Sequence, residues 1–376
     1  LLAACSFRHG VGGGGGDAAD GSTSGLSCFA KTTAYAFCVD TPTKPITLNM
    51  TAQLHTGNAG MHNGCAPLGA YTMVGSVEAC VIAGTAVTVP RGSRFVAVDD
   101  YPLVIASTSD VDIAGELDVS TPSGAQHGAG HNPSDCTNNG IGGTSTGTGA
   151  GGGAGGSFGT HGGAGGVGDP NGAPAGDGGT ARPASPPTQL RGGCPGGTGG
   201  NAHGGGGMAG YGGGAVFVAA YGKISVEGSI DASGECGYAG QIGGGGGGGG
   251  SGGASGGMIA LAASAYDIIG VLIANGGGGG GGGSQSGADP LSSMGHDPSI
   301  SSPSTPALGG SAGGVGGPGG DGAATVTTTL DGAVDGSNAT ANGGGGGGGG
   351  GEGVIGYIGG TFPAPNSNIS PAAVEL

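Results

Sequence analysis

Four carboxylates stand at even spacing in a short stretch of the chain: Asp110, Asp112, Glu116 and Asp118. On a β-strand, residues two apart share a face. Such a ladder offers oxygen ligands to Ca²⁺, which takes six to eight of them. The same alternation also makes these residues the solvated face opposite Val111, Ile113, Leu117 and Val119. His127 and His131, followed by Asp135 and Cys136, have the H-x-x-x-H spacing that holds a metal on a helix. The intervening Gly128-Ala129-Gly130 disfavours a helix and reads instead as a polar loop. Ser251 and Ser255 each match G-x-S-x-G, but a nucleophile elbow needs a strand-turn-helix setting, and a glycine tract produces the match by composition alone. Asp99, Asp100 and Asp110 are the carboxylates that a polysaccharide-active enzyme would pair roughly 5 to 9 Å apart. With 8 Tyr, 7 Phe and no Trp, the chain offers such an enzyme little aromatic surface for sugars, so catalysis is not expected.

The eight cysteines are Cys5, Cys28, Cys38, Cys65, Cys80, Cys136, Cys194 and Cys236, widely spaced and without a C-x-x-C pair. That pattern suits disulfides formed outside the cytosol better than a zinc site. Local bridges such as Cys28 with Cys38 and Cys65 with Cys80 are expected, although spacing does not determine the pairing. The opening residues Leu1-Leu2-Ala3-Ala4 read as the tail of an export signal. Leu2-Ala3-Ala4-Cys5 resembles the lipobox of bacterial lipoproteins, which makes Cys5 either a lipidation site or a disulfide partner. Asn49, Asn338 and Asn368 begin N-x-S/T sequons and are glycosylation candidates in a host that glycosylates. The expected location is secreted, on a bacterial cell surface.

These residues need elements to position them, and the sequence supplies an internal repeat. Residues 109–120, 222–233 and 264–275 align so that apolar positions alternate around a central glycine: Val111, Ile113, Gly115, Leu117, Val119; Ile224, Val226, Gly228, Ile230, Ala232; Tyr266, Ile268, Gly270, Leu272, Ala274. Period two predicts strands, and a recurring unit predicts stacked rungs. A further strand-like piece precedes each copy, at residues 103–106, 215–219 and 258–262, and another lies at 354–358. Glycine blocks follow, at 243–250, 276–283 and 343–351. This organisation divides the chain into an N-terminal segment, 1–31, a cysteine-containing β-rich domain, 32–120, and a glycine-rich repeat domain, 121–376.

Of 376 residues, 105 are Gly and 21 Pro, a composition that excludes one large side-chain core. Eight Lys and Arg against 24 Asp and Glu give a net charge of −16, which disfavours nucleic acid as a partner. The longest strongly apolar stretch, 268–274, is too short to cross a bilayer as a helix. A chain so rich in glycine is either a flexible linker or one in which backbone hydrogen bonds between extended polyglycine II (PPII) helices replace side-chain burial. The expected fold is therefore all-β, with short rungs in a sandwich or solenoid, almost no α-helix, and a bundle of packed polyglycine II helices. In its glycine runs the chain resembles glycine-rich tail-tip adhesins of long-tailed phages and snow flea antifreeze proteins. The strand and glycine-block arrangement also resembles glycine-rich secreted proteins of predatory soil bacteria. These resemblances imply an extracellular, structural or adhesive role. The expected function is a self-assembling fibre or cell-surface scaffold, with itself, a cell surface or glycans as partners and no cofactor beyond a possible Ca²⁺. The alternative is a monomeric binding module, adhesin-like or ice-binding.

Overall fold

The computed structural model describes residues 25–49, 53–57, 64–66, 68–136, 140–146, 148–169, 178–180, 187–289, 291–324, 333–364 and 366–376. Leu1 to Cys5, with the signal and lipidation readings, lie outside them.

A hairpin, β1 (Leu26–Phe29) and β2 (Phe37–Asp40), precedes the short strands β3 (Ile46–Thr47), β4 (Leu54–His55) and β5 (Ala70–Val74). Four rungs of three strands follow. They are β6 (Val77–Gly84), β7 (Val87–Val89) and β8 (Arg94–Val98); β9 (Leu103–Ser107), β10 (Val111–Ile113) and β11 (Glu116–Asp118); β12 (Ala215–Ala220), β13 (Lys223–Val226) and β14 (Ser229–Asp231); and β15 (Met258–Ala262), β16 (Ala265–Ile268) and β17 (Val271–Ile273). The final strands are β18 (Val354–Ile358), β19 (Ile369–Ser370) and β20 (Val374–Glu375). Equivalent strands of successive rungs pair in parallel and build three sheets, ordered β16-β13-β10-β7-β3, β19-β17-β14-β11-β8-β4 and β20-β18-β15-β12-β9-β6-β5. The architecture is a three-sided β-solenoid. Strands on either side of residue 120 belong to the same sheets, β9 pairing with β12 and β10 with β13.

The repeat read from the sequence is the stacking register itself. Val111 sits over Ile224 and Leu117 over Ile230, and the next rung adds Tyr266 and Leu272. The repeat's central glycines, Gly115, Gly228 and Gly270, form the corner between two sheets. A Cβ at Gly228 would overlap the carbonyl of Gly115, and one at Gly270 would overlap that of Gly228. Only glycine lets the corners stack so closely. In the largest sheet, Leu103, Val216, Ile259 and Ile355 point into the solenoid, while Val104, Phe217 and Ala260 face outward under Phe29, Phe37 and Phe158. Strands β9, β12 and β15 are buried on both faces, which explains their unbroken apolar sequences.

All three long excursions leave the solenoid at one corner, between β11 and β12, β14 and β15, and β17 and β18. Their glycine segments therefore lie side by side. Successive amides of one segment serve different neighbours: Gly249 donates to Gly200, Gly250 to Gly345 and Ser251 to Tyr238. Three residues on, the same neighbours recur, with Gly252 donating to Gly197, Gly253 to Gly348 and Ala254 to Glu235. Residues 276–283 and 343–351 follow the same pattern, with Gly280 donating to Ser251 and Gly347 to Gly280.

The all-β expectation holds, but the bundle of polyglycine II or PPII helices does not: no described residue belongs to a helix of any kind. The amides of these segments go mostly to carbonyls of other segments, and within the 243–250 block the described bonds form a single turn, where Gly245 and Gly246 donate to the Gly243 carbonyl. The filament reading took such helices as the framework of a fibre and loses that basis.

Candidate functional site

Where the glycine array meets the solenoid, four segments far apart in sequence enclose a cleft of about 560 Å³. Gly124, Ala125 and His127 come from the loop after β11, Pro195, Gly196 and Thr198 from a second segment, Met208 to Tyr211 from a third, and Glu235 and Tyr238 from the segment after β14.

Each wall is pinned. Thr121 in the first loop donates its hydroxyl to the Gly212 carbonyl and accepts the Gly128 amide. The second wall begins at Cys194, which is bridged to Cys136 and whose amide donates to Ser255 Oγ at 2.8 Å. Arg191 lies over the Phe158 ring, 4.7 Å from its centroid, directs a nitrogen at both sulfurs of this bridge and ion-pairs with Asp135. In the third wall, the Gly212 amide donates to Asn132 Oδ1 and the Met208 carbonyl accepts the Ser251 hydroxyl. Ser251 and Ser255, the two serines of the G-x-S-x-G matches, are thus fully buried supports of the cleft walls.

The chemistry of the cleft centres on Glu235, only 3% exposed. Its Oε1 accepts the Tyr238 hydroxyl at 2.6 Å and its Oε2 the Tyr211 amide at 2.9 Å. Burial raises this carboxyl above the ordinary range, the Tyr238 and Tyr211 hydrogen bonds oppose that shift, and the nearby Asp297 adds to it. Tyr238 is pushed up to about 12 by burial and by Glu235. Asp297 accepts the amides of Ser123 and Cys236, both at 2.8 Å. The Cys236 thiol is free and buried, and burial raises it well beyond its usual range.

His127 and Tyr211 stack with centroids 3.6 Å apart, and the His131 ring lies 4.8 Å from that of His127. Burial lowers the pKa of both histidines, and His131 lowers that of His127 further. The two histidines therefore meet as packed rings in a loop, held by a bond between His131 Nδ1 and the Gly128 carbonyl. Beyond them, Asp99 adopts φ +86°, contacts His55 Nδ1 through Oδ2 at 2.9 Å, and exchanges backbone bonds with His127 and Gly130.

The carboxylate ladder is divided by the corner at Gly115. Asp110 caps the Lys223 amide and Asp112 is exposed on one sheet, whereas Glu116 and Asp118 lie on another, where both pair with Arg94. Among the described residues no group of three or more His, Cys, Asp or Glu is placed to hold a metal. Asp99, Asp100 and Asp110 do not line the cleft. Cys28 pairs with Cys38 and Cys65 with Cys80, and Cys136–Cys194 is a third bridge. Asn49 and Asn368 are exposed, and Asn338 is exposed but accepts the Val167 amide at its Oδ1. No described helix is long and apolar enough to cross a membrane.

Sequence reasoning found His127 and missed Tyr211, Tyr238, Glu235 and Met208. The one signal available was that these are isolated large side chains in a glycine tract. Compared with protein-family models, with curated proteins and with solved structures, the chain matches none.

Proposed function

We propose that the protein is a monomeric binding module, acting outside the cell, that takes a small organic group borne on a cell surface into the cleft between solenoid and glycine array. The observation that carries this reading is the cleft itself: its volume falls in the range of small-molecule sites, about 300 to 1,000 Å³, and its walls come from four segments fixed by backbone bonds and a disulfide. A pre-formed site loses little entropy on binding. Binding suits it better than catalysis, because its buried carboxylate already accepts hydrogen bonds at both oxygens and no second carboxylate lines the cleft. Three disulfides support an oxidising location.

The test is ligand-observed and protein-observed NMR with a panel of small fragments, namely phenol, glucose and choline, alongside light scattering on the purified chain. The reading predicts the mass of a single chain and perturbation of Tyr211 and Tyr238 signals by at least one fragment, lost in Tyr211→Ala. A polymer, or fragments that leave both tyrosines unmoved, would contradict it.

A further inference from the structure

The cleft holds a charge without a partner. Among the described residues, the cationic side chains that form ion pairs do so elsewhere: Arg91 with Glu227, Arg94 with Glu116 and Asp118, Arg191 with Asp135, Lys223 with Asp267, and His55 with Asp99. Glu235 and Asp297, both close to Cys236, receive neutral donors: the Tyr238 hydroxyl, the Cys236 thiol, and backbone amides of Tyr211, Gly124, Ser123 and Cys236. A buried carboxylate compensated only by neutral dipoles costs free energy that an approaching positive charge offsets. The rest of the lining suits a particular kind of cation. Tyr211 and Tyr238 line the cleft, with one face of the Tyr211 ring stacked on His127, Met208 is exposed with a polarisable thioether, and Pro195 and Ala209 add apolar surface. His127, lowered by burial and by His131, is neutral at pH 7 and does not repel positive charge.

We infer that the ligand of this cleft is an organic cation of the quaternary-ammonium class, held over the tyrosine rings and balanced by the Glu235 carboxylate. The inference rests on the binding-module reading and gives its site a ligand chemistry. A bare metal ion fits poorly, since both Glu235 oxygens are occupied and aromatic rings and a thioether are weak ligands for hard cations. A sugar fits less well than a cation, because its hydroxyls need several free donors and acceptors, and the Tyr238 hydroxyl is already committed to Glu235. The chain's net charge of −16 further favours the arrival of a cation.

The experiment is calorimetric titration of the intact, oxidised protein with choline and with its neutral isostere 3,3-dimethyl-1-butanol, which share shape and differ in charge. Choline is expected to bind at least about tenfold more tightly. Glu235→Gln should erase most of that preference, and Tyr211→Leu should weaken choline more than the isostere. The circular dichroism spectrum and unfolding midpoint of each variant, compared with those of the parent protein, guard against mistaking misfolding for loss of the site. Equal affinity for choline and the isostere would overturn the inference while leaving a binding cleft. Binding of glucose or phenol at Tyr211 without choline binding would do the same. Failure of every probe to reach Tyr211 would remove both the inference and the binding-module reading.

Discussion

In the solenoid, Phe95, Leu117, Ile230 and Leu272 stack rung upon rung in an apolar interior, and the backbone pairs along regular parallel ladders. In the glycine array, residues 246–257 are almost as thoroughly buried, yet what surrounds them is other backbone. Large side chains exclude water in one region and the absence of side chains does so in the other. Close packing and hydrogen-bond satisfaction are thus separable from hydrophobicity: the array meets the demand that buried amides be paired while contributing little apolar surface.

The largest expected effect follows from adding one methyl group to the array. A Cβ at Gly347 would overlap the carbonyl of Ser251, with backbone on all sides and no flexible side chain to yield. Gly347→Ala should destabilise the protein by about 4 kcal/mol or more, at the extreme of single substitutions, as read from chemical unfolding. In the solenoid the opposite change is damaging. Leu117→Ala removes a fully buried side chain and should cost about 2 to 5 kcal/mol. If Gly347→Ala were mild and Leu117→Ala severe, the two regions would not differ as described.

The regions also differ in what unfolding exposes. Apolar surface raises the heat capacity of unfolding and polar surface lowers it, and ordinary domains show about 12 to 15 cal/mol/K per residue. Calorimetry should give a value clearly below that range, because much of the newly exposed surface is glycine backbone.

A titrating group tests the solenoid wall. Asp231 stacks directly on Asp118, and burial first, then Asp118, raises its carboxyl from 3.8 to about 7. Because the folded pKa lies above the unfolded one, the folded state keeps a proton that the unfolded chain has released. The contribution of Asp231 to stability is therefore greatest below about pH 4, falls as pH rises toward about 7, and levels off above that. The slope is at most about 1.4 kcal/mol per pH unit for one proton. Asp231→Asn should flatten this part of the stability profile measured by denaturant unfolding at several pH values.

The smallest effect is the control for the array. Gly244 is exposed, and nothing lies within 4 Å of a Cβ built there. Gly244→Ala should change stability by no more than about 0.5 kcal/mol, so that composition alone is not the cause of sensitivity elsewhere.

The rungs were legible in the sequence because a solenoid repeats its demands: the alternation around Gly115, Gly228 and Gly270 recurs wherever a corner must stack. The local disulfides were legible for a similar reason, as Cys28–Cys38 and Cys65–Cys80 close short loops. The lateral association of the glycine runs could be inferred from the need to pair their amides, but the helical form expected for them was not found. The cleft was illegible. Its residues belong to four segments, and what brings Tyr211 beside His127 and Glu235 beneath Tyr238 is the shared corner from which the excursions leave, a tertiary fact without a local signature. The divided carboxylate ladder shows the same limit, since alternation placed Asp112 and Asp118 on one face and the turn at Gly115 moved them to different sheets.

Backbone hydrogen bonds hold the glycine array as firmly as side chains hold the rungs. Hydrogen–deuterium exchange of the native protein, resolved for residues 246–257, 276–283 and 343–351 against β9, β12 and β15, tests it most directly. Amides such as those of Gly250, Gly280 and Gly347 are expected to exchange as slowly as those of Ile105 and Val218. Exchange of the glycine amides at the rates of an unstructured chain, with the rungs still protected, would contradict it.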